Sequence, residues 1–481
     1  MISTPSYRMP LAGRSSEYLF PASILLAAIV STLTGHLIWM AFPFCILFIA
    51  ISIHKIHWVY FLLLASIPFS TEVEIPGGLS TDFPDEPLMW WLCLIGGIYI
   101  LSNKKIITKL LHHPLTWMLI FHWIWILICS IGSQDIVISI KYWLSKSWYL
   151  FIFYVLAYLF LKSEKRLITF SWISAISACI TVLFVEGRHG MTGFAFNTIN
   201  TVVQPFFRNH VNYACLLVCI LPYLYPLWKY YKHKPYTRYL IILLGIIMLC
   251  GIGLSYTRAA YIALFSLIVM YPLLKLKLID GIAILVVVGL SLGLIYLNYH
   301  NNFLELAPDY NKAITHTDFS SLLAATPEGR DVSTMERLHR WVAGTRMVGQ
   351  KYILGFGPGG FYNYYQGYTL SQFTTYVSAN PDRSSTHNYF LMTAVEQGIP
   401  GLLIFLGILV MYFRQAQHSL FVLRAKYYPW ALASVWSLSS ILVIIFFNDM
   451  IETDKVGSYF FINLAILVST VDLNKADRTL N

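Results

Sequence analysis

An all-α, polytopic membrane fold is what this sequence predicts, and three observations predict it. Of the 481 residues, 57% are hydrophobic and only 12% are charged, whereas a soluble domain carries about a quarter charged residues. Mean hydropathy is +0.63. The apolar residues gather into about fourteen runs, each long enough to cross or nearly cross about 30 Å of hydrocarbon. Such runs must be helices, because a helix satisfies its own backbone polar groups where no water can.

In chain order the runs cover 18–35, 36–53, 55–70, 87–102, 115–131, 147–162, 167–185, 210–229, 238–255, 259–275, 278–297, 388–413, 429–447 and 456–472. Several are short, which sets the expectation at about twelve to fourteen transmembrane helices. Three parts follow: N-terminal transmembrane helices (1–297, about eleven), one large outer loop (298–386), and C-terminal transmembrane helices (387–481, about three). The N-terminus has no compact cleavage-site pattern, so the first run is expected to remain as a span.

Net charge is +10 and the pI is near 9.1. In a soluble protein that balance would suggest nucleic acid; here it marks orientation. "NKKIITK", "KSEKR", "KYYKHKPYTR", "KLK" and "RQAQHSLFVLRAK", with both tails, hold most of the Lys and Arg. By the positive-inside rule these loops and both termini are cytoplasmic. The alternate set faces outward: the acidic 70–87, the segment 186–209, the tight turn 255–258, the long loop 298–386 and "NDMIETDK" at 448–455. The seven cysteines lie in apolar runs without a CxxC, which reads as buried thiols and not a disulfide framework or metal site.

Within the long loop, "MERLHRWVAGTRMVGQKYILGFGPGGFY" (335–362) puts Leu338, Trp341, Val342, Met347 and Val348 near one helix face, with a glycine-rich turn after it. Arg337, Arg340 and Arg346 are displayed from that helix, and contact with lipid phosphates is the plain expectation for the last two. "GFGPGG" lacks the preceding strand and following Lys-Ser/Thr of a nucleotide P-loop. Tyr362, Tyr364, Tyr365 and Tyr368 suit sugar stacking or an interfacial belt equally well.

His387 and Asn388 open the next run, after Ser384, Ser385 and Thr386 as candidate caps. A helix N-terminus there attracts anions. An imidazole with an amide beside it can activate a hydroxyl, although an interfacial His can also simply reach for water. Gly398, Pro400 and Gly401 interrupt the run, by a Pro kink or by packing of small residues. Arg258 occupies a turn so tight that its charge lies at the outer surface, and Arg208 with His210 stands at the mouth of another span. Each could pair with an acid such as Asp449 or Glu452. Together, three outward arginines and a histidine suit a diphosphate, since guanidinium forks bind phosphate oxygens bidentately.

These strings resemble the O-antigen ligase and polymerase superfamily. His387-Asn388, nine residues, then Gly398-Ile-Pro-Gly401 is similar to its signature; Arg337 and Trp341 match its Arg-three-Trp pattern; "SYTRAAYIAL" places Arg258 on its Ser-Arg turn, with Thr257 where Ser is usual. The resemblance covers roughly 205–415. It implies an inner-membrane enzyme with a fold of the glycosyltransferase C type. Such enzymes pass a glycan from undecaprenyl diphosphate to an acceptor hydroxyl on the periplasmic face, with inversion and without metal or other cofactor. His387 would be the base, with Asn388 beside it, and Arg258 and Arg337 would hold the diphosphate; Arg208 and His210 are added by topology. Ligation of O-antigen to lipid A core is the leading reading. Many ligases continue with Thr after the final Gly, where this chain has Leu402, so glycan polymerisation and protein O-glycosylation stand beside it. Outside the family, a transporter of an anionic solute would be expected to show internal repeats or midplane charges, and neither is evident. A structural envelope-assembly protein, in which the histidine and arginines would be incidental, is a further alternative.

Overall fold

The computed structural model describes residues 15–75, 79–307, 332–374, 378 and 385–479. Helix α1 (Ser15–Thr34) precedes α2 (Phe42–His54) and α3 (Ile56–Ser66), which meet at a break bent by 114°. A two-stranded antiparallel ribbon, β1 (Thr71–Ile75) and β2 (Leu79–Phe83), pairs Thr71 with Phe83. Then come α4 (Asp85–Ser102), α5 (Pro114–Ile131), α6 (Ile136–Phe160), α7 (Glu164–Met191), α8 (His210–Tyr230) and α9 (Pro235–Leu254). They are followed by α10 (Arg258–Lys275), α11 (Ile279–Asn298), α12 (Val332–Gln350), α13 (Tyr389–Val422), α14 (Tyr428–Phe447) and α15 (Asp454–Thr479).

Ten of the described helices are long and apolar enough to cross a bilayer, or eleven if the bent α2–α3 pair is one span. The sequence count of twelve to fourteen differs at two places: the runs at 36–53 and 55–70 become one bent pair, and α4 begins on Asp85 and Glu86, which dilute its apolar character. Helix α6 also begins at Ile136 and not near 147, which draws Lys146 into a spanning helix.

Helices α8, α14 and α15 form the centre. Leu464 to Val468 of α15 and Leu216 to Ile220 of α8 have essentially no exposed surface. Polar contacts tie these helices where lipid-like surroundings make an unmet hydrogen bond costly. Asn463 donates to Ser437 Oγ at 2.9 Å and accepts from Tyr223, and Ser437 donates to the Cys219 carbonyl at 2.7 Å. At the other extreme, Leu285, Val287 and Leu292 of α11 are exposed, as expected of a helix surrounded mostly by lipid. Four cysteines (Cys129, Cys179, Cys215, Cys219) are buried, but Cys45 and Cys250 are exposed and Cys93 is half-buried, so burial of all seven is not observed.

Contacts between loops sort the chain onto two faces. On one, Arg208 meets Glu72, Lys455 meets the Ser70 carbonyl, and Asn388 meets Phe446. On the other, Lys426 lies near Glu164 and Asp477, and Arg414 meets Asp280. This division agrees with the alternation of acidic and basic loops in the sequence. It brings the segments before α10 and α13 to the same end of the bundle as the helix α12.

Candidate functional site

Helix α12 is the clamp of the site. Its buried stripe runs Met335, His339, Ala343, Met347, four residues apart, and takes in Glu336 and Arg340. The face expected from the sequence included Leu338, Trp341, Val342 and Val348, all only half-buried. The difference has a physical cause: Arg340 and Glu336 partly neutralise one another at 3.5 Å, so the pair can be buried. Arg340 also donates to the Ser385 carbonyl at 3.4 Å, and Trp341 Nε1 donates to the Thr386 carbonyl at 2.9 Å. Arg340 therefore holds protein backbone and not lipid phosphate, and Arg346 likewise donates to the Tyr368 carbonyl at 2.7 Å.

The segment so held leads directly into His387. Its φ is +52°, a left-handed conformation uncommon outside glycine. The strain is sustained by its neighbours: the His387 N–H donates to Ser385 Oγ at 3.1 Å, and Asn388 N–H to Thr386 Oγ1 at 3.2 Å. Asn388 is the N-cap of α13, accepting from Leu391 N–H at 2.9 Å while its amide donates to the Phe446 carbonyl at 3.1 Å. Both ends of that side chain thus fix the entry to the helix. His387 is half-buried, and burial, then the charges of Arg337 and Arg340, push its imidazole down to about 3. The ring is neutral at physiological pH, close to two guanidinium groups, with α13 beginning two residues on.

Gly398 explains the interruption of α13. The break is at Gly398 itself, with φ +70° and ψ 179°, and Pro400 falls in the opening turn of the helix beyond it. The Pro kink expected from the sequence is thus a glycine break. Into the break fits the turn 351–360: Ile399 N–H donates to the Tyr352 carbonyl at 2.8 Å, while Phe356 and Gly357 N–H donate to the Val395 and Glu396 carbonyls at 2.9 and 3.0 Å. A β-carbon on Gly398 would collide with the Ile353 carbonyl. The buried Glu396 carboxylate accepts from Phe361 N–H at 3.3 Å, so the amides of "GFGPGG" face protein oxygens and cradle no phosphate.

The remaining candidates separate into places. Arg258 is the first residue of α10 and half-buried. Tyr271, near the other end of α10, hydrogen-bonds Tyr428, the first residue of α14. The two helices are therefore antiparallel, and Arg258 stands toward the end of α14 where Asn388 meets Phe446. Thr257 reaches the His210 carbonyl at 3.4 Å, which sets His210 beside Arg258; His210 Nδ1 contacts Asn200 at 2.8 Å. Arg208 is exposed and paired with Glu72 at 2.8 Å. The described contacts thus join His387 to Arg340 through Ser385, with Arg337 near enough to act on the imidazole electrostatically, and His210 to the Arg258 turn, while Arg208 belongs with the ribbon. Of the tyrosines, Tyr365 is buried and stacked on Phe361, and Tyr364 donates to Asp135 at 2.8 Å, so both serve the turn's own packing.

Two features escape a reading of the sequence alone. Tyr142 and Lys146 of α6 converge on Glu452 at 2.7 and 2.9 Å, with Lys146 5.7 Å from the ring of Tyr389, the residue after Asn388. A Lys within an apolar run was the available signal. Asp449 lies near Arg340 and bonds Ser385, and burial holds its carboxyl above the usual range. Arg208 takes Glu72 as its partner in place of the Asp449 or Glu452 that the sequence suggests.

A neutral imidazole among cations can accept a proton from an approaching hydroxyl while the guanidinium groups offset negative charge that develops nearby. Residues 243–406 match the sequence model of the O-antigen ligase family. No curated protein matches the chain closely enough to be counted a relative. The matched stretch contains Arg258, α12, His387 and the Gly398 break, and leaves Arg208 and His210 outside it. That stretch, about a third of the chain, is similar to the O-antigen ligase family.

Proposed function

We propose that this protein transfers a glycan from an undecaprenyl diphosphate carrier to an acceptor hydroxyl on the periplasmic side of a bacterial inner membrane, and that the acceptor is lipid A core. The observation that carries this reading is His387 held neutral beside Arg337 and Arg340 at the mouth of α13. The acceptor oxygen forms a bond to the anomeric carbon as the carbon–oxygen bond to phosphate breaks, and the diphosphate leaves with the electron pair. The acceptor's proton passes to His387. Attack opposite the leaving group inverts the anomeric centre. Arg337 and Arg258 hold the diphosphate, whose charge grows in the transition state.

Electrostatics links binding to catalysis. In the free protein burial, and then two guanidinium groups, make His387 a weak base. A diphosphate arriving on Arg337 offsets that charge, so the imidazole gains basicity when the donor is present. Asn388 and Trp341 act as positioning residues, since each is bonded to backbone and together they hold the strained turn. The basic loops opposite put both termini in the cytoplasm by the positive-inside rule.

The test is reconstitution of the purified protein with a diphosphate-linked glycan, offering lipid A core, a second carrier-linked repeat, or a pilin-like protein in turn. Transfer to lipid A core alone is expected. Transfer only to the second repeat or to protein would move the assignment to another branch of the superfamily.

A further inference from the structure

The face opposite His387 carries a cleft that the transfer reaction does not use. It opens to about 770 Å³ between the ends of α5, α13 and α15, and adjoins a second space of about 550 Å³. Lys475, His113 and Pro114 border both. Its floor is apolar: Met118 of α5, Gly407, Val410 and Met411 of α13, and Val471 of α15. At its rim stand Lys109, Lys475 and Arg478, with the N-terminus of the 18-residue α5 between them.

The charges there do not cancel. Asp472, on the same rim, accepts from Tyr158 at 2.6 Å, and Arg414 is occupied by Asp280 at 2.6 Å. Arg478 donates one nitrogen to the Val422 carbonyl at 2.7 Å, while Lys109 and Lys475 are exposed. A cationic rim over an apolar floor, open at the end of a spanning bundle, fits a molecule with a phosphate at one end and hydrocarbon at the other. The volume is that of a ligand site, more than a bare anion requires.

We propose that this cleft binds an anionic membrane phospholipid, its phosphate against Lys109 and Lys475, and its acyl chains along Met118, Val410 and Met411. The site lies at the opposite end of α13 from His387, so an occupant would brace the helix whose other end carries the reaction.

The test uses the full-length protein in detergent, measured by native mass spectrometry with added phosphatidylglycerol or phosphatidylethanolamine. Phosphatidylglycerol should be retained roughly tenfold more strongly. The double variant Lys109→Gln with Lys475→Gln should reduce that preference to the phosphatidylethanolamine level, whereas Lys232→Gln with Lys234→Gln, in another basic turn of the same face, should leave it unchanged. Equal retention of the two lipids, or equal loss in both double variants, would overturn the proposal. So would displacement of phosphatidylglycerol by inorganic phosphate at matched concentration, which would mark a free-anion site.

Discussion

At the scale of single residues, three arginine and histidine side chains on neighbouring segments have sharply different duties. Arg340 is buried against Glu336 and the Ser385 carbonyl. Arg340→Ala takes the Arg340 cation away from the buried Glu336 carboxylate, which keeps its bond from Ser378, and loss of one member of a buried pair costs about 3–5 kcal/mol. We expect a large fall in thermal unfolding temperature for that variant, and a much smaller one for Arg337→Ala, whose side chain is only half-buried. His387 adds a pH signature. Because burial and then Arg337 and Arg340 depress its folded-state value to about 3, the stability it contributes is complete above its ordinary value and is lost as pH falls from there toward 3. The acid limb of kcat/KM reports the free enzyme. Its His387 component should therefore lie well below pH 6, and Arg337→Gln should move it upward; a limb near 6.5 in the wild type would contradict the neutral-imidazole assignment. The sequence marks His387, Arg258 and Arg337 as candidates because their chemistry is costly at a membrane surface and they stand at run boundaries. Burial of Arg340 was not legible there, since it depends on which side of α12 meets α13, although Glu336 four residues before it was a hint.

At the scale of elements, α13 and the turn 351–360 form one unit. Three backbone hydrogen bonds bridge the break at Gly398, and Glu396 caps the turn. Gly398→Ala combines a residue that disfavours positive φ with a collision against the Ile353 carbonyl. Strain of this type costs about 1–3 kcal/mol before the collision is added. The expected outcome is a destabilised protein whose turn becomes accessible to limited proteolysis near 351–360; wild-type protease resistance would mean the break is dispensable. The sequence displayed the interruption and the glycine-rich turn separately. That one fills the other is a contact between segments some forty residues apart, and helical periodicity carries no information about it. The start of α6 was similarly misjudged because Lys146 resembles the edge of a span until Glu452 and Tyr389 are seen around it.

At the scale of the whole molecule, the bundle sorts His387 and the Arg258 turn to one end and basic loops to the other. Most of the fold class was legible, because apolar run length and loop charge follow from the physics of the bilayer. The helix count was less so: the bent α2–α3 pair looks like two spans in one dimension. Orientation can be measured in a cysteine-free variant. A cysteine at the exposed Thr345 should label with an impermeant thiol reagent in spheroplasts, and one at the exposed Lys232 only after lysis; the reverse pattern would turn the site toward the cytosol. The central claim is that His387 performs the transfer while Arg337 holds the donor, and one measurement tests it most directly. Single-turnover glycan transfer is followed in reconstituted protein alongside donor binding. His387→Ala should bind the diphosphate-linked donor as the wild type does and transfer it about 10²–10⁴-fold more slowly, the range of a lost general base. A folded His387→Ala protein that transfers at the wild-type rate would contradict the account.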